Sequence, residues 1–357
     1  MYRFRADHRR IRAIALVALS VLILGIACTG AQGPAGPAGP IGPAGAVGPQ
    51  GPAGPVAPGG AANANQQSPP SYETQFGTVY GSSAVWGNQP GYGISFASPN
   101  GIAIDSSDNV YVTEFRGNRV QKFTFDGVLV GRWGSEGSED GQFQNPTGIA
   151  IAGDGNVYIS ESGNHRVQKF DSDGNWLTAW GSRGSGEGEF LSAMVIAADS
   201  ENKLYVSDWG NDRIQVFDSN GNYLDSWGLS GKAEGELFRP TGIKVDSDGN
   251  IWVVDRGNSR VQKFTRVGEF LGTWGTEGNN QGQFGVPTSI AFDKDGNFYV
   301  AEVENSRVQI FSSEGEYLSE LAPGSFSGPH GLAFDSKGDI YVADTGNNFV
   351  RKFSLVN

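Results

Sequence analysis

The chain has 357 residues, 38% of them hydrophobic and 11% aromatic, with one cysteine and a formal net charge of -12. A lone thiol excludes an intrachain disulfide, so packing must hold the fold, and the length is ample for a large core. The acidic balance deepens to -16 when residues 1–27, with five Arg and one Asp, are set aside, which counts against nucleic acid or an anionic membrane surface as a partner of the folded part.

Residues 1–27 read as an export signal. Arg3, Arg5, Arg9, Arg10 and Arg12 form a basic start, and residues 13–27 carry no charge over a run too short for an ordinary membrane span. The run ends Leu24-Gly25-Ile26-Ala27-Cys28. This resembles the lipobox of bacterial lipoproteins, with Gly25 where leucine is usual. The resemblance implies cleavage before Cys28 and lipidation of its thiol. The protein is then expected on the outer face of the bacterial cytoplasmic membrane or in the cell envelope, held only by its lipidated N-terminus. A plain secretory signal and an uncleaved anchor are the alternatives.

Residues 28–75 are expected to space the body from the membrane. Gly30 to Gly54 carries glycine at every third position, usually followed by proline. This is the collagen pattern, and it supports either a trimer through a triple helix or a semi-rigid single-chain stalk. Residues 57–75 are polar and of low complexity, as in a flexible linker.

From residue 76 the chain repeats. Trp86, Trp133, Trp180, Trp227 and Trp274 stand 47 residues apart, as do Phe123, Phe170, Phe217, Phe264 and Phe311. A period of this size marks a solenoid, an array or a propeller. Each unit holds four short runs rich in Val, Ile, Tyr, Phe and Trp, separated by turns such as Asp126-Gly127 and Asp173-Gly174. That is strand and hairpin chemistry, and four antiparallel strands per repeat make a propeller blade. Units beginning at Pro99, Pro146, Ala193, Pro240, Pro287 and Pro329 predict six blades. The sixth supplies three strands, and the strand carrying Trp86 precedes the first blade out of phase. It is predicted to complete the last sheet and close the ring, which removes an exposed edge. The predicted fold is all-β: a six-bladed propeller of four-stranded antiparallel blades over residues 76–357.

Pro146-Thr-Gly-Ile-Ala, Val157-Tyr-Ile-Ser-Glu161, Gly163-Asn-His-Arg-Val-Gln-Lys-Phe170 and the loop Gly141-Gln-Phe143 carry a further resemblance. They are similar to the NHL-repeat family of six-bladed propellers, across residues 76–357. The resemblance implies the fold strongly and the function weakly, because such propellers serve as enzymes, as partner- or RNA-binding modules and as sensors.

Four constellations could carry chemistry. Glu114, Glu161, Asp208, Asp255, Glu302 and Asp344 end the second strand of each blade. Five are followed five residues on by Arg119, Arg166, Arg213, Arg260 and Arg307, a spacing that predicts structural acid–arginine pairs. Asp344 has Phe349 there and is the expected exception, free to meet a ligand. His330 begins the sixth innermost strand and is expected at the central mouth, as a ligand contact or an acid or base. His165 sits in a turn. The Asp-x-Asp-Gly-Asn runs at 171–175, 246–250 and 293–297 lack the glycine and glutamate placement of a calcium loop and read as hairpin turns. Finally, acidic glycine-rich loops carry Glu136, Glu139, Glu187, Glu189 and Glu236, a surface suited to a cationic partner.

The leading expectation is a non-enzymatic binding or scaffold module that recognises a protein, peptide or glycan through its loop face. No cofactor and no nucleic acid are expected. The alternative is a lyase or hydrolase working at the central mouth with His330 and neighbouring carboxylates. Some propellers that this chain resembles are lyases whose channel histidines hold zinc or act as base. Catalytic zinc commonly takes three protein ligands, and His165 and His330, in different blades, do not supply them. A third reading is an architectural envelope protein whose stalk trimerises.

Overall fold

The computed structural model describes residues 71–73, 79–87 and 95–356. The expected signal, Cys28, the glycine-proline segment and most of the linker lie outside them. Among the described residues no helix is long and apolar enough to cross a membrane.

Six antiparallel sheets form the propeller. The first blade comprises Pro99–Ile104, Val110–Glu114, Arg119–Phe123 and Leu129–Trp133. The same order recurs through the blades that begin at Pro146, Ala193, Pro240 and Pro287. In the sixth, Pro329–Phe334, Ile340–Asp344 and Phe349–Val356 are joined by Val79–Gly87. Trp86 pairs with Val350 as Trp133 pairs with Val120, so the closing strand takes the register of an ordinary fourth strand. Ser71–Glu73, expected in the linker, instead adds a short fifth strand to that sheet. The ring is fastened a second time where the first blade begins: the Thr345 hydroxyl, in the turn after the second strand of the sixth blade, donates to the Pro99 carbonyl at 2.5 Å.

The repeat pattern explains the packing. Second strands are buried throughout because neighbouring sheets cover both faces. The core therefore lies between blades. Each tryptophan of the 47-residue series caps one such layer: a Cβ on Gly174 would meet the Trp133 ring at 2.6 Å, and one on Gly221 would meet Trp180 at 2.5 Å. Gly174 also holds a φ of 86° in its hairpin turn. The Asp-x-Asp-Gly-Asn runs are such turns. Asp171 Oδ1 accepts from the backbone N–H groups of Asp173 and Asn175.

Candidate functional site

The ring acids build the scaffold of the mouth. Glu161 is fully buried. Its Oε1 accepts from Arg166 Nε at 2.6 Å and Gln168 Nε2 at 2.8 Å, and its Oε2 from the Gln144 N–H at 2.9 Å and Asn164 Nδ2 at 2.6 Å. Arg166 then donates to the carbonyls of Ser138, Glu139 and Gln142, tying down the inter-blade loop. The same pairing joins Glu114 to Arg119, Asp208 to Arg213, Asp255 to Arg260 and Glu302 to Arg307. These carboxylates have their oxygens engaged by protein donors and face inward to the fold.

Asp344 is not the exception its spacing suggests. It is fully buried, and Arg351 occupies the place taken by glutamine in the other blades and pairs with it at 2.5 Å. Positions 349 and 351 lie on the same face of one strand, so the arginine reaches the acid from two residues further along.

The loop glutamates do not come together. Glu136, Glu139 and Glu187 are exposed. Glu189 Oε2 accepts from the Gly186 N–H and Glu236 Oε2 from the Ala233 N–H, each at 2.9 Å, so these two brace their own loops. None of the five lines the central cavity.

That cavity, about 340 Å³ in volume, is lined by the inner strands of all six blades. Ile102, Ile149, Ile196, Ile243, Ile290 and Leu332 give it an aliphatic girdle. His330 lines it, with Nδ1 3.1 Å from the Gly328 carbonyl. A carbonyl only accepts, so Nδ1 carries the proton and neutral His330 keeps a lone pair on Nε2. Burial lowers the pKa of His330 below the ordinary imidazole value. The Gly328 hydrogen bond opposes that shift and the Arg256 charge reinforces it.

The carboxylates expected beside His330 are absent from the lining. Its other ionisable side chains are Arg116, Lys244 and Arg256, all cationic types. One imidazole with three such groups does not suit a zinc ion, which needs a closed set of donors and is repelled by cations. Among the described residues no group of three or more His, Cys, Asp or Glu converges on a metal position. Zinc therefore does not fit the residues present.

Lys244 and Arg256 escape a reading that follows the repeat, yet each breaks it. Ala103, Ala150, Ala197, Ala291 and Ala333 hold the place of Lys244 in the other blades. Phe115, Ser162, Trp209, Val303 and Thr345 hold that of Arg256. The signal was a charge where the other five blades have none, on the inner strand for Lys244 and in the turn after the second strand for Arg256.

The model of the virginiamycin B lyase family matches residues 93–352, a different family name from the NHL resemblance. No curated protein matches the chain. A catalytically inactive virginiamycin B lyase from Staphylococcus aureus, solved with Quinupristin, has a TM-score of 0.55 and 18% identity, covering 82% of this chain and 97% of that one. A gluconolactonase from Xanthomonas campestris reaches 0.57 at 14% identity, covering 82% and 99%. A protein of unknown function from Bacteroides thetaiotaomicron reaches 0.59 at 20% identity, covering 82% and 84%. At these identities the likeness is one of fold.

Proposed function

This chain belongs to the virginiamycin B lyase family, and from that premise we propose that it is an enzyme that opens an ester or lactone by elimination at the central mouth of the propeller. Family membership favours this over a module that only binds. The observation that carries it is His330, a half-buried imidazole with its Nε2 lone pair free, lining a cavity that also holds Lys244 and Arg256. His330 removes a proton from the carbon beside a carbonyl. The electron pair forms a carbon–carbon double bond, and the bond from the next carbon to the ester oxygen breaks, releasing a carboxylate. Lys244 and Arg256 face the negative charge that develops on the carbonyl oxygen.

Hydrolysis is the second reading, favoured by the same imidazole acting on water. Mass spectrometry separates the two. The full chain is incubated with Quinupristin, on which the lyase relative was studied, and with a panel of smaller cyclic esters. Elimination opens a ring without changing its mass, whereas hydrolysis adds one water. Failure to open any ester would remove both readings and return the binding module to first place.

Export and lipidation at Cys28 remain part of the proposal, and place the reaction outside the cytoplasm. Metabolic labelling with a fatty acid that marks the wild type and spares Cys28→Ala would support it. Equal labelling of both would count against it.

A further inference from the structure

Three side chains of the fourth blade have no hydrogen-bond or ion-pair partner among the described residues. The hydroxyl of Thr147 donates towards carbonyls of its own and the next blade, and so does that of Thr288. The equivalent Thr241 is only 3% exposed, lines the cavity, and its hydroxyl has no hydrogen-bond partner among the described residues. Three residues along the same strand stands Lys244, half-buried in a position where every other blade has alanine. No carboxylate among the described residues pairs with its ammonium, and none lines the cavity. Arg256, one residue beyond the ring acid of that blade, is likewise half-buried without an ion pair. Arg239 adds positive charge behind it, stacked 4.9 Å from the Trp209 ring.

Withdrawing unpaired cations from water is unfavourable unless something else satisfies them. Here the two cations share one wall of a cavity girdled by aliphatic side chains, in a protein whose overall charge is strongly negative. We infer that the inner wall of the fourth blade is an oxyanion site, in which Lys244 and Arg256 receive the headgroup of an amphipathic small molecule whose apolar part lies on the aliphatic girdle. Arg256 offers a planar fork for two oxygens and Lys244 a point charge. The inference rests on the enzymatic reading for one thing only, that the molecule held there is the substrate; it then defines that substrate as an anion.

Isothermal titration calorimetry on the full chain tests it, with hexanoate and hexyl phosphate as probes and hexylammonium and hexanol as controls. At least one anion is expected to bind at least about 10-fold more tightly than either control, as the loss of one charged hydrogen bond predicts. Lys244→Met and Arg256→Gln should each weaken that anion by a similar factor. Preference for hexanoate identifies a carboxylate, and preference for hexyl phosphate a phosphate ester. Lys244→Met moves its blade towards the apolar pattern of the others, so folding is not at stake, and a thermal melt verifies it. Controls that bind as well as both anions, no binding of either anion, or variants that bind unchanged would each overturn the inference. Its failure is separable from that of the enzymatic reading. Anion binding by a chain that opens no ester sinks only the latter, and ester opening without anion binding sinks only the former.

Discussion

Arg351 pairs with Asp344 at 2.5 Å from a position two residues beyond that of its counterparts in the other five blades. The buried acid is thus compensated in every blade, and the sixth differs only in where along the strand its cation is attached.

Removing that cation leaves a buried carboxylate without its charge partner. Arg351→Ala is expected to destabilise the protein by about 3 kcal/mol, read as a shift in denaturant midpoint. Arg351→Gln combined with Phe349→Arg, which restores the pattern of the other blades, should recover most of the loss. Equal damage in both would show that the pair itself matters little.

Gly174 is the clearest single test of the blade-to-blade packing. An alanine there must hold a φ of 86° and place its Cβ 2.6 Å from the Trp133 ring. Backbone strain alone costs about 1–2 kcal/mol, and displacing the tryptophan adds to it. Gly155, with a similar φ of 79° but nothing within 4 Å of a Cβ, should lose less on the same change. Thermal melts of the two variants make the comparison.

Lys244 should oppose stability while serving binding. Burial holds its pKa below the ordinary lysine value. Between that folded value and the unfolded value near about 10.4, the unfolded chain binds more protons. Stability from this group therefore rises with pH across the window, and the penalty is full below it. Lys244→Met should raise the melting temperature at neutral pH, by roughly 2–4 °C for each kcal/mol relieved, and remove that alkaline rise. A melting temperature that falls would contradict this.

His330 sets the opposite limb. Its pKa is lowered in the folded state, so the unfolded chain takes up a proton first as pH falls below about 6.5. The stability this group contributes is complete above that value and is lost as pH falls through the lower folded value. His330→Gln should flatten the acid side of the stability profile. In the wild type, kcat/KM should hold down to a pH below that of free imidazole. A profile that declines already at neutral pH would argue against His330 as the base.

The fold was legible because the repeat states it many times over. Spacing alone placed the strand carrying Trp86 in the last sheet and joined Glu161 to Arg166. The same redundancy hid the site. Reading for sameness at the ring acids drew attention to Asp344, whose partner had merely slipped along its strand, and to loop glutamates such as Glu189 that brace their own turns. Lys244 and Arg256 carry no motif, and only their contrast with five aligned neighbours marks them. His330 was visible as a lone histidine at a strand start, but the cations around it follow from the ring closing, which brings residues of the fourth and sixth blades to one cavity.

The most direct test of the enzymatic account is the turnover of His330→Gln on whichever ester the wild type opens, with folding verified by its melt. Loss of the base should lower kcat by at least about 100-fold while the anion probe still binds. A variant that keeps kcat within about 10-fold of the wild type would place the chemistry elsewhere and contradict the account.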